Sequence, residues 1–188
     1  MRLDTVCRPE RTTQTVERRA DVVNTLADEA ESETYGYIGF SMGGRTGLEL
    51  AASTPKRLSM LAIGGMHLLP PTANADRFIR HTKILRSGRA KSVEKPDGDR
   101  PGNDPLALAA SHEALLWWKG VDGRLDSLNA PTLLFCGEED AHFPNAEESS
   151  RHYGFEFAGL PNTDHNSTFF SSEIAVNSVT NFVAKHLK

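Results

Sequence analysis

Three residue types that together can break an acyl bond occur in the order serine, aspartate, histidine, each just after a short apolar run. The first is Ser41, in "YGYIGFSMGGRTG", with Gly39 and Gly43 at alternate positions around it. The second is Asp140, in "TLLFCGEEDAHFP", and the third is His165, in "FEFAGLPNTDHNSTFF". A serine hydroxyl is a poor nucleophile until a neighbouring base takes its proton. An imidazole has a suitable pKa, and a carboxylate behind it fixes the tautomer and steadies the imidazolium. A strand that turns sharply into a helix strains the residue at the turn. Side chains two positions to either side then collide, which gives Gly39 and Gly43 a mechanical reason. Met42, at the start of the following helix, is expected to offer its backbone N–H to a developing oxyanion.

These residues need elements to carry them. "TVERRADVVNTLADEAE" has Val16, Ala20, Val22, Val23 and Leu26 at helical spacing, which predicts a helix over 14–31. "YGYIGF" reads as a strand, and "GRTGLELAAS" as a helix that ends before Pro55. "LSMLAIGG", "APTLLFCGEED" and "YGFEFAGLP" read as further strands, the first covered on both faces. The tail carries Ile174, Val176, Val179, Phe182 and Val183 as the apolar stripe of a helix closed by Lys185, His186 and Lys188. Strands alternating with helices give an α/β fold: a mostly parallel sheet flanked by helices, with functional loops at the strands' C-terminal ends. Residues 67–130 break the rhythm. "DRFIRHTKILRSGRAKSVEK" predicts a basic helix, "EKPDGDRPGNDP" a mobile loop, and "PLALAASHEALLWW" a helix ending at Trp117 and Trp118. The chain is therefore expected to be one domain, with a core of 1–66 and 131–188 and a small helical insertion at 67–130.

Other readings use the same residues. "GFSMGGRT" approaches a phosphate loop, but Arg45 stands where that motif has lysine, and arginine is not its equal. Glu138 or Glu139 could stand in for Asp140; the spacing from Gly137 and the following Pro144 favour Asp140. His142 lies on the acid's own loop and reads as a surface residue rather than the base, with a place in a substrate pocket. Asp164 reads as a local hydrogen-bond former. Phe40, His67, Trp117 and Trp118 are further candidates for the pocket lining, against structural roles in a loop or core. Arg77, Arg80, Lys83, Arg86, Arg89 and Lys91 read as a solvated helix face rather than a steering patch. His81, His112, His152 and His186 show no spacing of metal ligands.

Composition narrows the partners. The 188 residues carry a net charge of −4, which gives no pull toward nucleic acid or anionic lipid. "MRLDTVCRPERTTQ" lacks the apolar run of a secretion signal, and no stretch has the length of a membrane span. Cys7 and Cys136 lie far apart and suggest no disulfide framework. These features lead to an expected cytoplasmic location.

The segments "GFSMGG", "PTLLFCGEEDAHFP" and "GLPNTDHNSTFF" together resemble the α/β-hydrolase fold family, in its nucleophile elbow, acid loop and histidine loop. The resemblance implies Ser41 as nucleophile, His165 as base and Asp140 as orienting acid. It further implies hydrolysis of a small-molecule carboxylic ester, lactone or thioester through an acyl-enzyme, without metal or organic cofactor. Residues 67–130 match the family's variable cap. The likeness departs at the N-terminus, where relatives carry earlier strands and a His-Gly loop that completes the oxyanion hole. Here "LDTVCRPE" retains Asp4 of a turn motif but not its glycines. One oxyanion donor is thus expected to be missing or to come from an unexpected place, and the strand at 35–40 to lose a neighbour. A homodimer or a rearranged N-terminus is expected to cover that edge. The alternative is a catalytically inactive hydrolase-like binding or interaction module.

Overall fold

The computed structural model of the chain describes residues 14–71, 75–88, 104–170 and 172–186. Asp4, Cys7, Arg89, Lys91 and the Pro- and Gly-rich loop "EKPDGDRPGN" lie outside the described residues.

Among the described residues, four strands form one parallel sheet in the order β1-β2-β3-β4: β1 Tyr35–Phe40, β2 Leu58–Gly64, β3 Thr132–Gly137 and β4 Glu156–Leu160. The helices are α1 Val16–Glu29, α2 Met42–Ser53, α3 Ala75–Arg86, α4 Pro105–Leu115, α5 Phe143–Tyr153, α6 His165–Phe170 and α7 Glu173–His186. The fold is that of an α/β protein with a mostly parallel sheet flanked by helices, as the alternation of patterns implies.

The chain divides into two compact units, with boundaries between residues 19 and 20, 69 and 70, and 119 and 120. In the unit that takes in 70–119, Asp104 caps α4 by accepting from the Leu106 N–H at 2.8 Å, and Pro105 supplies the preset first turn. Arg86 of α3 grips Glu113 of α4 with two bonds of 2.8 and 2.6 Å. The His112 ring stacks with Phe78 and His81, and Leu85, Ala109, Leu115 and Trp118 are buried. Arg77, Arg80, Lys83 and Arg86 are exposed, as a solvated helix face requires.

The second unit holds the sheet. Every residue of β3 is buried, and all but one of β2. That burial explains their near-continuous apolar runs, because helices lie against both faces. Met60 and Ala62 of β2, Leu133 and Phe135 of β3 and Leu160 of β4 pack with Ala175 and Phe182 of α7. Ile63, next along β2, points the other way, toward Gly47 of α2. The apolar face of α7 is Ala175, Val179, Phe182 and Val183. Ile174 and Val176 were expected in that stripe but are exposed, since they flank Ala175 on the helix wheel. Val22 and Leu26 of α1 are likewise exposed, while Val16 and Ala20 are buried one turn apart.

Close approach of α2 to the sheet depends on a missing side chain. A Cβ on Gly47 would sit 2.6 Å from both Ile63 Cδ1 and Tyr37 Cε1. Gly47→Ala is therefore expected to lower stability by about 1–3 kcal/mol despite alanine's better helix propensity. A thermal or urea melt that matched the parent would contradict this account of the packing.

Candidate active site

Ser41 is the single residue between β1 and α2. Its φ of 53° and ψ of −109° lie where an L-residue is strained. The turn is tied on both sides: the Ser41 N–H donates to the Gly64 carbonyl at 2.8 Å, and the Ser41 carbonyl accepts from the Arg45 N–H at 3.0 Å. One residue leaves no loop to wrap a phosphate. Arg45 is buried within α2, so the phosphate-loop reading has no geometry to stand on. Crowding at the turn is one-sided. A Cβ on Gly39 would lie 2.5 Å from the Gly43 carbonyl oxygen, so only glycine fits there. At Gly43 the nearest atom would be Tyr37 Oη at 3.8 Å, an ordinary contact. The expected steric demand at Gly43 is thus corrected, because a Cβ there would make only that ordinary contact.

The loops after β3 and β4 bring the other two groups to the same end of the sheet. His165 opens α6, with its Nδ1 2.6 Å from Asp140 Oδ2 and its Nε2 2.9 Å from Ser41 Oγ. Asp140 is buried, and its Oδ1 accepts from the His142 backbone N–H at 2.9 Å. Its loop is pinned to the β4 side through the Glu138 N–H on the Leu160 carbonyl and the Glu139 N–H on the Thr163 carbonyl, each 3.0 Å. Glu138 and Glu139 are both exposed and do not substitute for Asp140. Asp164 turns to its own loop, accepting from the Ser167 N–H and hydroxyl at 2.7 Å each. Met42 begins α2, where the first N–H groups have no intrahelical acceptor.

The ring of Phe40 lies 5.0 Å from His165 and 5.2 Å from Phe169, centroid to centroid. His142 is not a surface residue. Its half-buried ring stands 5.0 Å from His67 and 5.7 Å from His165, which brings three imidazoles into one neighbourhood. His67 Nδ1 accepts from the Leu69 N–H at 3.1 Å, so its proton is on Nε2. Trp117 and Trp118 belong to the unit that takes in 70–119. A feature that sequence reasoning missed is Gly65, at φ +60°, where a Cβ would meet Phe40 Cζ at 2.7 Å and His165 Cε1 at 3.0 Å. The paired glycines closing "LAIGG" were its only signal. They make room for the aromatic and imidazole rings at the end of β2.

Electrostatics separate the groups. Burial pushes the Asp140 carboxyl up. The bonds from His165 and the His142 N–H outweigh it, and the result lies below the usual 3.8. Asp140 therefore binds its proton more weakly in the fold than in the unfolded chain. Its contribution to stability is complete above the ordinary carboxylate pKa and is lost as pH falls below it. Burial lowers His142 from 6.5 to about 4, with Asp140 opposing and the charges of His67, Arg45 and His165 assisting. Burial, then Arg45, also lowers His67. Asp140, His142 and His165 each offer a ligand atom, all within 4.8 Å of one another.

This arrangement on this sheet is the α/β-hydrolase fold, and solved structures share it. MGS-M2, an α/β-hydrolase enzyme from a Medee basin deep-sea metagenome library, superposes with a TM-score of 0.77 at 14% identity, over 93% of this chain and 74% of that one. A thermophilic esterase from Thermogutta terrifontis gives 0.75 at 21% identity, over 92% and 73%. The enol-lactonase of Burkholderia xenovorans gives 0.70 at 18%, over 90% and 73%. In sequence the chain is 27% identical over 150 residues to RutD of Yersinia enterocolitica, a protein named for carbamate hydrolysis. That match covers 66% of this chain and 54% of RutD. The chain thus spans about half the length of the curated relative it matches. No family model matches it.

Because His142 is harder to protonate in the fold than in the unfolded chain, the unfolded chain takes up the proton first. Stability is expected to fall as pH drops from 6.5 toward about 4. His142→Gln should flatten part of that decline in urea midpoints. An unchanged slope would show that the buried ring is not its source.

Proposed function

We propose that the chain is a serine hydrolase that cleaves a small carboxylic ester, lactone or thioester through an acyl-enzyme on Ser41. The observation that carries this reading is the unbroken hydrogen-bonded file Ser41 Oγ, His165, Asp140, with contacts of 2.9 and 2.6 Å. The hydroxyl proton passes to His165 Nε2 as Oγ bonds to the carbonyl carbon. The negative charge that moves to the carbonyl oxygen faces the Met42 N–H at the helix start. His165 then protonates the departing alkoxide or thiolate. Water repeats the sequence on the acyl-enzyme and returns free Ser41. Asp140 holds the Nδ1–H tautomer throughout. Phe40, His67 and His142 line the acyl side in this reading. The names of the structural and sequence relatives, which include an esterase, an enol-lactonase and a carbamate hydrolase, favour the same reaction class. The proposed compartment is the cytoplasm, in keeping with the buried free thiol of Cys136.

The second reading is a non-catalytic interaction module. The observation in its favour is the outer edge of β1, which has no paired strand among the described residues, with Ile38 exposed beside it. A second copy of the chain is the occupant proposed for that edge in either reading, and sedimentation would report it as a dimer.

A fluorophosphonate probe is expected to label the protein at Ser41. Ser41→Ala should abolish labelling, and Asp140→Asn should slow ester turnover on the order of 10⁴-fold. Well-folded protein that neither labels nor turns over p-nitrophenyl esters would leave the interaction module standing. The contribution of Met42 follows from the same assay. A single oxyanion donor is worth roughly a hundred- to a thousand-fold in turnover.

A further inference from the structure

We propose that Asp140, His142 and His165 form an inhibitory site for Zn²⁺ or a similar borderline-soft divalent cation, one that blocks the proton relay. The inference rests on the serine-hydrolase reading for its inhibitory part and on geometry alone for the binding. The three ligand atoms lie within 4.8 Å of one another. One carboxylate and two imidazoles are a donor set that suits zinc, with a fourth position left for water. Zinc takes such ligands at roughly 2.0–2.2 Å, which sets neighbouring ligand atoms roughly 3.3 Å apart. The 2.6 Å gap between Asp140 Oδ2 and His165 Nδ1 must therefore open slightly, and the His142 ring must swing inward. His142 sits at the N-terminal end of α5, on the same loop as Asp140, so its rotation moves no strand.

Proton bookkeeping explains the inhibition. In the resting site, His165 carries its proton on Nδ1, facing Asp140, and leaves Nε2 to accept from Ser41. A cation seated between Asp140 and Nδ1 replaces that proton, which solvent relays to Nε2. The ring stays neutral and no net proton is released. Nε2 then donates toward Ser41 Oγ and is no longer a base. If the cation binds Nε2 instead, the same lone pair is occupied directly.

The surrounding charges set how tightly the site holds. Asp140 is the anionic ligand, and its charge acts on both His142 and His67. The Arg45 guanidinium acts on the same two rings and opposes a cation. His67 is not a ligand, because its Nδ1 is committed to the Leu69 N–H and its Nε2 carries the proton.

The test is calorimetric titration of the whole chain with Zn²⁺, run beside fluorophosphonate labelling in excess Zn²⁺ and in chelator. One ion per chain is expected, with labelling lost in zinc and restored by chelator. His142→Phe, which keeps a ring in place, and His142→Gln should each weaken zinc binding by about tenfold or more, the loss that removing even a supporting partner brings. His152→Asn, an exposed histidine farther along α5, should leave the affinity unchanged. Absence of binding, or equal affinity in both folded His142 variants, would overturn the site. Binding without loss of labelling would overturn the inhibition. If zinc-free protein fails to label, the hydrolase reading falls and the blockade with it, and the calorimetry still decides the metal site.

Discussion

Ser41 holds a left-handed backbone only because the turn is fastened from both directions. The Gly64 carbonyl takes its N–H, and the first bond of α2 takes its own carbonyl. A strained residue costs on the order of 1–3 kcal/mol and persists where its surroundings leave it no alternative. Here those surroundings are the parallel pairing of β1 with β2 and the packing of α2 across them. That packing comes close because Gly39 and Gly47 have no side chains. The position of the hydroxyl is thus a by-product of sheet register. Phe40 pairs with Gly64 in the ladder, and the bond that fastens the elbow is the next step of the same ladder.

Much of the sheet was legible because buried parallel strands advertise themselves. "LSMLAIGG" and "TLLFCG" admit almost no polar residue, and the structure shows why: both faces are covered. The positions of Ser41, Asp140 and His165 were legible for a related reason. Each follows such a run directly, so topology alone sends all three to one end of the sheet. The strand-end rule carries no information about what else arrives there. His142 was read as a surface residue because sequence places it on the acid's loop. The ring turns inward between His67 and His165, a direction set by rotamer and neighbours rather than by spacing.

The helices show the limit from the other side. Periodicity identified α1 and α7 correctly as helices but misassigned part of their buried faces. On α7 the inward stripe runs through Ala175, a small residue that hydropathy undervalues, whereas the larger Ile174 and Val176 remain exposed. Gly65 was missed for a simpler reason. Its importance lies in the space it leaves for the Phe40 and His165 rings, and a pair of glycines after a strand does not say which rings will fill that space.

The hydroxyl and the imidazole are separated by 124 positions along the polymer, and three crossovers complete the sheet between them. Such long-range closures are slow and come late relative to local helix formation. Helices and the local β1–β2 pair can form while Ser41 still has no imidazole within reach. The hydrogen-bonded file from Ser41 through His165 to Asp140 therefore closes only with the docking of the last strand.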